Sequence, residues 1–215
     1  MRDGIHQAIQ NQTFIPLFCT SSTTNIGVKR VCDFISKYGS SPDDRKIVKA
    51  KDEKGNVVDV SLDGGDTVLQ IFKTMSESHV GEFSFFRVYS GEVQTGEDYH
   101  NSSRNIDERF GQMFLLNGKN RTQVDKLYAG DIAGVVKLKD THTGDTLSSG
   151  KHLKLPLLSL PNPNIHAAIR PTGKGDEEKL AVGLATLHEE DSTFLYRVDS
   201  EVNQTIISGQ GELHL

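Results

Sequence analysis

Guanine-nucleotide chemistry depends on short motifs at fixed spacing, and the chain contains one partial match. Asp52 to Gly55 fits the pattern D-x-x-G. The sequence contains no G-x-x-x-x-G-K-[ST] loop, whose backbone amides and lysine would hold phosphates, and no Asn-Lys-x-Asp segment to read guanine. The D-x-x-G match lies in a polar stretch rich in Lys, Asp and Gly. We therefore interpret it as a chance match and predict no complete nucleotide site in this chain.

Metal and nucleophile chemistry have equally little support in the sequence. None of the eight histidines pairs with another at the i, i+4 spacing of helical ligands. Cys19 and Cys32 lie thirteen positions apart without a second pair. There is no G-x-S-x-G motif, and Glu189 and Glu190 fall at a predicted helix end, where no acid-base role is needed. We expect neither a metal site nor a hydrolytic nucleophile.

Long cationic side chains follow the predicted strand MFLL. Lys119 and Arg121 fall in a polar loop, from which they could reach RNA phosphates as positioning contacts. The alternative is a solvated hairpin tip, where exposed charges are ordinary. The formal net charge of −5 argues against a domain dedicated to neutralising nucleic acid, so any RNA contact must be local.

Composition is that of a globular chain. Apolar residues make up 35% and charged residues 25% of 215 residues, which allows one to three small units. No apolar run approaches the roughly 20 residues of a spanning helix, and the first residues lack the apolar centre of a signal peptide. Together with two isolated cysteines, this predicts a reduced, cytoplasmic protein without a membrane partner.

The residue pattern of the N-terminal part predicts two helices and a strand. Residues 1–13 form a weak helical pattern, and the apolar run Phe14–Cys19 is typical of a buried strand. Apolar positions from Val28 onward follow helical spacing until Gly39–Pro42, which stops the helix. Residues 45–65 predict a connector that holds at most a hairpin.

Residues 66–157 predict an antiparallel barrel of about six strands. Short β-branched and aromatic runs alternate there with glycines. Phe83, Phe85 and Tyr89 share one face of a strand, and Phe86 and Val88 share the other, so that strand is expected to be buried on both sides. A closed barrel would remove the exposed edges of so many short strands.

Residues 158–215 predict an α+β unit after a proline-punctuated connector. Its expected elements are a strand at Ile165–Ile169, a helix capped by Asp176, and strands at Phe194–Val198 and Thr205–Ile207. One apolar stripe is expected on the helix, at Leu180, Leu184 and Leu187. The last residues, GELHL, begin a helical pattern that stops before it can bury a face, so we expect a truncated unit.

Five blocks in register resemble elongation factor G. They are FFRVYSG (Phe85–Gly91), AGDIAG (Ala129–Gly134), LKDTHTGDTL (Leu138–Leu147), EEDSTF (Glu189–Phe194) and GQGELHL (Gly209–Leu215). The resemblance covers nearly the whole chain and implies a mainly β protein with an α+β part. It implies a six-stranded translation-factor barrel followed by a partial ferredoxin-like, split βαβ domain.

The resemblance also implies a domain organisation and a function. Residues 1–44 would be the end of a GTPase domain, residues 66–157 domain II, and residues 158–215 the first half of domain III. The family hydrolyses GTP, with Mg²⁺, to move transfer and messenger RNA on the ribosome. This chain lacks the catalytic residues, so by itself it is expected to be inactive and to bind no cofactor.

The resemblance assigns tentative sites residue by residue. CTSSTTNIG, from Cys19, is placed like the family's guanine-base loop, with Ser21 and Ser22 at the matching positions; the family commonly has Ser-Ala there, and Ser22 departs from that pattern. Domain II of the family touches small-subunit ribosomal RNA, which favours Lys119 and Arg121 as RNA contacts. His214 begins the domain III helix near contacts with other domains of the same factor.

Two alternatives remain open from the sequence. One is another member of the same superfamily, either a ribosomal protection protein or a release-factor-type GTPase. The other is a stand-alone β-barrel interaction module, which the missing phosphate-binding motifs favour.

Overall fold

A computed structural model describes residues 2–77, 81–173, 175–199 and 204–215. The chain divides into two compact units, Met1–Lys46 and Ile47–Leu215. Within the described ranges, no helix has both the length and the apolar character needed to cross a membrane.

The first unit contains the two predicted helices. Helix α1 spans Arg2–Gln10 and α2 spans Val28–Tyr38, followed by a 3₁₀ turn at Pro42–Asp44. The N–H of Gly39 donates to the carbonyl of Ile35 and closes the last turn of α2. A Cβ at Gly39 would lie 2.5 Å from that carbonyl oxygen, which explains why α2 ends at a glycine.

The predicted strand at Phe14–Cys19 is wrong. The segment has no ladder partner in the described part of the first unit, where the only bridge joins Ser21 to Ile26. Ile15 is 88% exposed and Leu17 93% exposed. An apolar run becomes a strand only when a neighbouring strand pairs with its backbone, and the described residues of the first unit provide no such strand.

The connector holds the expected hairpin. Strands β1 (Ile47–Lys51) and β2 (Val57–Ser61) pair antiparallel. Asp52 accepts the backbone N–H of Asn56 at 2.8 Å, and Gly55 supplies the positive φ of the turn. The D-x-x-G match is therefore part of a hairpin turn, as its polar surroundings indicated.

The barrel region contains ten strands within its described residues, more than the six expected. Bulges and glycine turns cut the chain into shorter strands than the hydrophobic pattern suggests; one register shift, for example, interrupts the pairing of the two longest strands between Ile71 and Lys73. The strands are β3 (Val68–Glu77), β4 (Gly81–Ser90), β5 (Glu92–Gln94), β6 (Asp98–Asn101), β7 (Ile106–Arg109), β8 (Met113–Asn117), β9 (Asn120–Val124), β10 (Lys126–Tyr128), β11 (Ile132–Val136) and β12 (Thr146–Ser148).

One sheet dominates this region and confirms the mainly β fold class. Its eight strands are arranged β7-β6-β12-β3-β4-β11-β8-β9, and β10 pairs separately with β5. Tyr99 of β6 and Met113 of β8 come from near opposite ends of this order, yet both belong to the same buried cluster. The sheet therefore curves around a single core.

Strand β4 shows the expected burial on both faces. Phe86 and Val88 are fully buried in the main core, and Phe83 on the opposite face is also fully buried. Phe85 and Tyr89 are half-buried. Alternating side chains thus place one face of β4 in the barrel core and pack the other against aromatic neighbours.

The C-terminal part has a split βαβ arrangement. Strand β13 (Ile165–Ile169) leads through α3 (Glu177–Glu190) to β14 (Leu195–Asp199), and β15 (Gln204–Gly209) lies between the two strands. Both outer strands pair antiparallel with β15, so they run parallel to each other. This arrangement confirms the second part of the predicted fold class.

Details of α3 differ from the sequence prediction. Asp176 occupies the N-cap position but makes no capping hydrogen bond; its carboxylate instead contacts Lys179 Nζ at 2.9 Å. Of the predicted stripe, Leu184 is buried against Phe194 and Ile207, whereas Leu187 is 51% exposed. Only part of the predicted apolar stripe therefore packs against the sheet.

Candidate functional site

The segment matching the guanine-base loop is a compact turn in the first unit. Ser21 is half-buried, its N–H donates to the carbonyl of Ile26 at 3.0 Å, and its Oγ accepts the N–H of Thr24 at 3.3 Å. Ser22 is exposed in the same turn. Gly27, with φ 79°, brings the chain so close to Cys19 that a Cβ there would lie 2.9 Å from the Cys19 carbonyl. The loop holds its backbone in a tight turn directly before α2.

The two predicted RNA-contacting cations lie on the β8–β9 hairpin. Lys119 is exposed in the two-residue turn that follows Asn117. Arg121 was expected in the loop, but it belongs to strand β9, and its guanidinium lies 4.9 Å from the ring centre of Phe83. Pairing of Asn117 with Asn120 closes the hairpin earlier than the polar run suggested.

His214 contacts residues of its own C-terminal domain. Its Nδ1 accepts the backbone N–H of Gln210 at 2.9 Å, and its Nε2 lies 3.3 Å from Asp191 Oδ2. The ring also meets Phe194 edge-on. The predicted helix start at GELHL is a single hydrogen-bonded turn, in which the His214 N–H donates to Gly211. In these contacts, His214 ties the last residues to the end of α3.

The loop between β11 and β12 is organised by a buried carboxylate. Glu108 of β7 is 1% exposed, and its oxygens accept the N–H groups of Lys139 and Asp140 and the hydroxyl of Thr141 at 2.8–3.0 Å. Asn101 adds a hydrogen bond to Thr141 Oγ1 at 3.0 Å. A buried acceptor surrounded by donors fixes the loop backbone, because breaking these bonds would leave charge without partners.

This loop touches the end of α3 and joins the barrel to the C-terminal domain. The N–H of Thr143 donates to Glu189 Oε1 at 3.1 Å. The N–H of Ser76 in β3 donates to Glu190 Oε1 at 2.8 Å. Glu189 and Glu190, for which the sequence predicted no acid-base role, therefore hydrogen-bond the end of α3 to the barrel within the second unit.

Three ionisable side chains converge beside this contact. One ligand atom each from Glu82, His142 and Glu189 lies within 4.8 Å of the other two. They border an open cavity of about 340 Å³ between the barrel and α3. Burial raises the pKa of Glu82, and the negative charge of Glu189 raises it further. Burial opposes protonation of His142, but Glu189 and Asp140 raise its pKa overall.

Sequence reasoning missed this cluster because its members are far apart in the chain. Glu82 begins a strand, His142 lies in a loop, and Glu189 ends a helix, so no local spacing links them. The only available signal was that two of them lie in LKDTHTGDTL and EEDSTF, blocks that carry the family resemblance. The tentative nucleotide and RNA residues are not part of this cluster.

Comparison with known proteins identifies two adjacent regions. The profile for elongation factor G domain 2 matches residues 66–150, and the profile for elongation factor G domain III matches residues 160–215. A crystal structure of a protein from Thermus thermophilus superposes with a TM-score of 0.77 at 26% identity. It matches 99% of this chain, which spans 30% of that protein's length.

The matched regions coincide with the curved sheet and the split βαβ domain described above. Both profiles belong to one factor, and they occur here in that factor's order. The chain belongs to the elongation factor G family of translation factors.

Proposed function

We propose that this chain acts as part of a cytoplasmic translational GTPase that moves transfer RNA and messenger RNA on the ribosome. The observation that carries the proposal is the pairing of a domain 2 match with a domain III match in one continuous chain. Barrel and split βαβ folds occur separately in many proteins with other functions. Their combination in this order is much more specific than either fold.

In this proposal the chain has a mechanical role. Glu189 and Glu190 hydrogen-bond the end of α3 to the barrel, so the two domains can transmit a displacement to each other. A GTPase cycle produces motion when its nucleotide states favour different packed arrangements of such domains. The phosphates of GTP and the Mg²⁺ ion would bind to residues of the whole factor outside this chain.

The Ser21–Ser22 turn would contribute the edge of the guanine site. Its tight backbone and small side chains suit a close approach to a base, and its position before α2 fits such a loop. A substitution that adds bulk, Ser22→Leu, tests this assignment in the whole factor. It should weaken GTP affinity, whereas Thr13→Leu in the neighbouring exposed segment should not.

The β8–β9 hairpin would contact small-subunit ribosomal RNA through Lys119 and Arg121. Lys119 projects from an exposed turn, and a single phosphate contact would suit a protein that must also dissociate. Binding of the 215-residue chain to small ribosomal subunits should weaken in Lys119→Ala, and the slope of log K against log salt should fall by about 1. Lys54→Ala, at the tip of the β1–β2 hairpin, is the matched control and should leave both quantities unchanged.

Two measurements on the whole factor separate the proposal from its closest alternative. Ribosome-stimulated GTP turnover tests the GTPase assignment, and movement of messenger RNA tests translocation. Turnover without movement would favour a protection or release role. Absence of stimulated turnover would contradict both roles.

A further inference from the structure

The cluster of Glu82, His142 and Glu189 has the donor set of a transition-metal site. One imidazole nitrogen and two carboxylate oxygens face one another across the domain contact, all within 4.8 Å. Imidazole and carboxylate ligands together suit Zn²⁺. Two ligands come from the barrel and the third from α3, so a bound ion would bridge the two domains.

Outer contacts already orient two of the three ligands. His142 Nε2 lies 3.1 Å from Asp140 Oδ1, so a neutral ring that donates to Asp140 from Nε2 would direct its Nδ1 lone pair at Glu189. A carboxylate behind a histidine is the usual second contact of a metal-binding imidazole. Glu189 Oε1 is occupied by the N–H of Thr143, so Oε2 is the oxygen that faces the ring.

The inner atoms form a close contact that requires a shared cation. His142 Nδ1 is buried and makes no hydrogen bond of acceptable geometry, although Glu189 Oε2 lies 2.9 Å away. With the proton on Nε2, both of these atoms are acceptors. Two acceptors at this distance repel each other unless a cation is shared between them. That cation is either a second ring proton, which makes the contact an ion pair, or a metal ion.

We propose that Glu82, His142 and Glu189 bind Zn²⁺ and that the ion fastens α3 to the barrel. In a tetrahedral zinc site with bonds of about 2.0–2.2 Å, ligand atoms lie roughly 3.4 Å apart, so side-chain movements of about 1 Å would assemble this site. Water would fill the remaining coordination position, which opens to the cavity.

Calorimetric titration of the 215-residue chain with ZnCl₂, after treatment with a chelator, tests the proposal. We expect one site per chain. Glu82→Gln should weaken zinc binding at least about tenfold, because loss of a direct ligand costs no less than loss of an outer contact. The same variant should leave the metal-free chain as stable as before, because it removes a charge that Glu189 repels.

Two further variants define the site. Asp140→Asn should weaken zinc binding about 10–100-fold by releasing the imidazole. Glu53→Gln is the matched control, since Glu53 also contacts a histidine, His152, at 2.7 Å, but this pair belongs to no three-ligand group among the described residues. It should bind zinc like the unmodified chain.

Nuclear magnetic resonance of the unmodified chain gives a readout that needs no variant. Zinc should shift the ring signals of His142 at lower concentration than those of His152. The proposal is overturned if zinc does not bind, if Glu82→Gln and the unmodified chain bind it equally, or if Glu53→Gln abolishes binding. In the first case the shared cation is a proton, and in the last the ion lies at His152.

Discussion

The buried carboxylate of Glu108 accepts the backbone N–H of Asp140 at 2.8 Å. This contact fixes the loop that carries both His142, which faces the proposed metal site, and Thr143, which holds Glu189. A buried group on one side of the barrel thereby positions the contact between two domains. The relationship links the stability of the barrel to the geometry of the junction.

Glu108→Gln should destabilise the barrel by about 2–3 kcal/mol, because an amide cannot accept all the hydrogen bonds that the carboxylate accepts. Urea denaturation measures the change, and hydrogen exchange should show loss of protection at Lys139 and Asp140. Asp107→Asn, on the exposed side of the same strand, is the control and should change stability by less than about 0.5 kcal/mol. Equal effects of the two substitutions would contradict the role assigned to Glu108.

Gly134→Ala should destabilise the protein by about 1–3 kcal/mol through overpacking. A Cβ at Gly134 would lie 1.9 Å from Phe83 Cε1, and Phe83 is fully buried. Gly183→Ala is the control, and we expect its stability to change in the opposite direction. A Cβ added at Gly183 of α3 would have no atom within 4 Å apart from the backbone of its own helix. It should raise stability by about 0.5–1 kcal/mol. Thermal unfolding of both variants checks the pair.

Asp176→Ala should cost less than about 0.5 kcal/mol, because its side chain makes an exposed ion pair instead of a helix cap. Asp191→Ala should cost about 1 kcal/mol or more, since Asp191 Oδ1 accepts both the N–H and the hydroxyl of Thr193 at 2.8 and 2.6 Å. Urea unfolding curves give the two values. A larger loss for Asp176→Ala than for Asp191→Ala would show that Asp176 caps α3 in solution.

The ionisation of His6 should depend on Asp44. A hydrogen bond to Asp44 raises the pKa of His6, with a further contribution from the Tyr38 carbonyl, and the nearby Asp3 adds to the same direction. The pKa of Asp44 is lowered, first by the N–H of Ser41. The His6 contribution to stability is present below its unfolded pKa and is lost as pH rises through its folded pKa. The Asp44 contribution is lost as pH falls through its folded pKa.

The His6–Asp44 contact is therefore strongest in mildly acidic solution, between the ordinary pKa values of the two groups. Titration of the His6 ring protons by nuclear magnetic resonance checks this. Asp44→Asn should lower the pKa of His6 toward its ordinary value, whereas Asp43→Asn should change it much less. An unchanged pKa in Asp44→Asn would refute the assignment.

Periodicity predicted the elements whose signals are close together in sequence. Helix α2 and strand β13 were predicted at the correct positions in the chain, because a local apolar pattern with its flanking turn residues marks where such elements begin and end. The strand prediction for Phe14–Cys19 was wrong because it depended on distant partners. It required a sheet that the described residues of the first unit do not contain. Arg121 lies in a strand instead of a loop because the pairing of Asn117 with Asn120 closes the hairpin two residues earlier than predicted.

The contact between the barrel and the C-terminal domain could not be predicted from local sequence patterns. Thr143 and Glu189 are 46 residues apart, and no spacing rule connects a loop threonine with a carboxylate at a helix end. Family resemblance pointed to the segments that contain both residues, but the choice of partners depends on how two domains pack. The packing of the two domains also determines whether His142 contacts solvent, carries a second ring proton or binds a metal ion.

GTP turnover by the whole factor that contains this chain, measured with and without ribosomes, tests the central claim most directly. The account predicts strong stimulation by ribosomes and, in the same reaction, movement of messenger RNA. Turnover that ribosomes do not stimulate would contradict it.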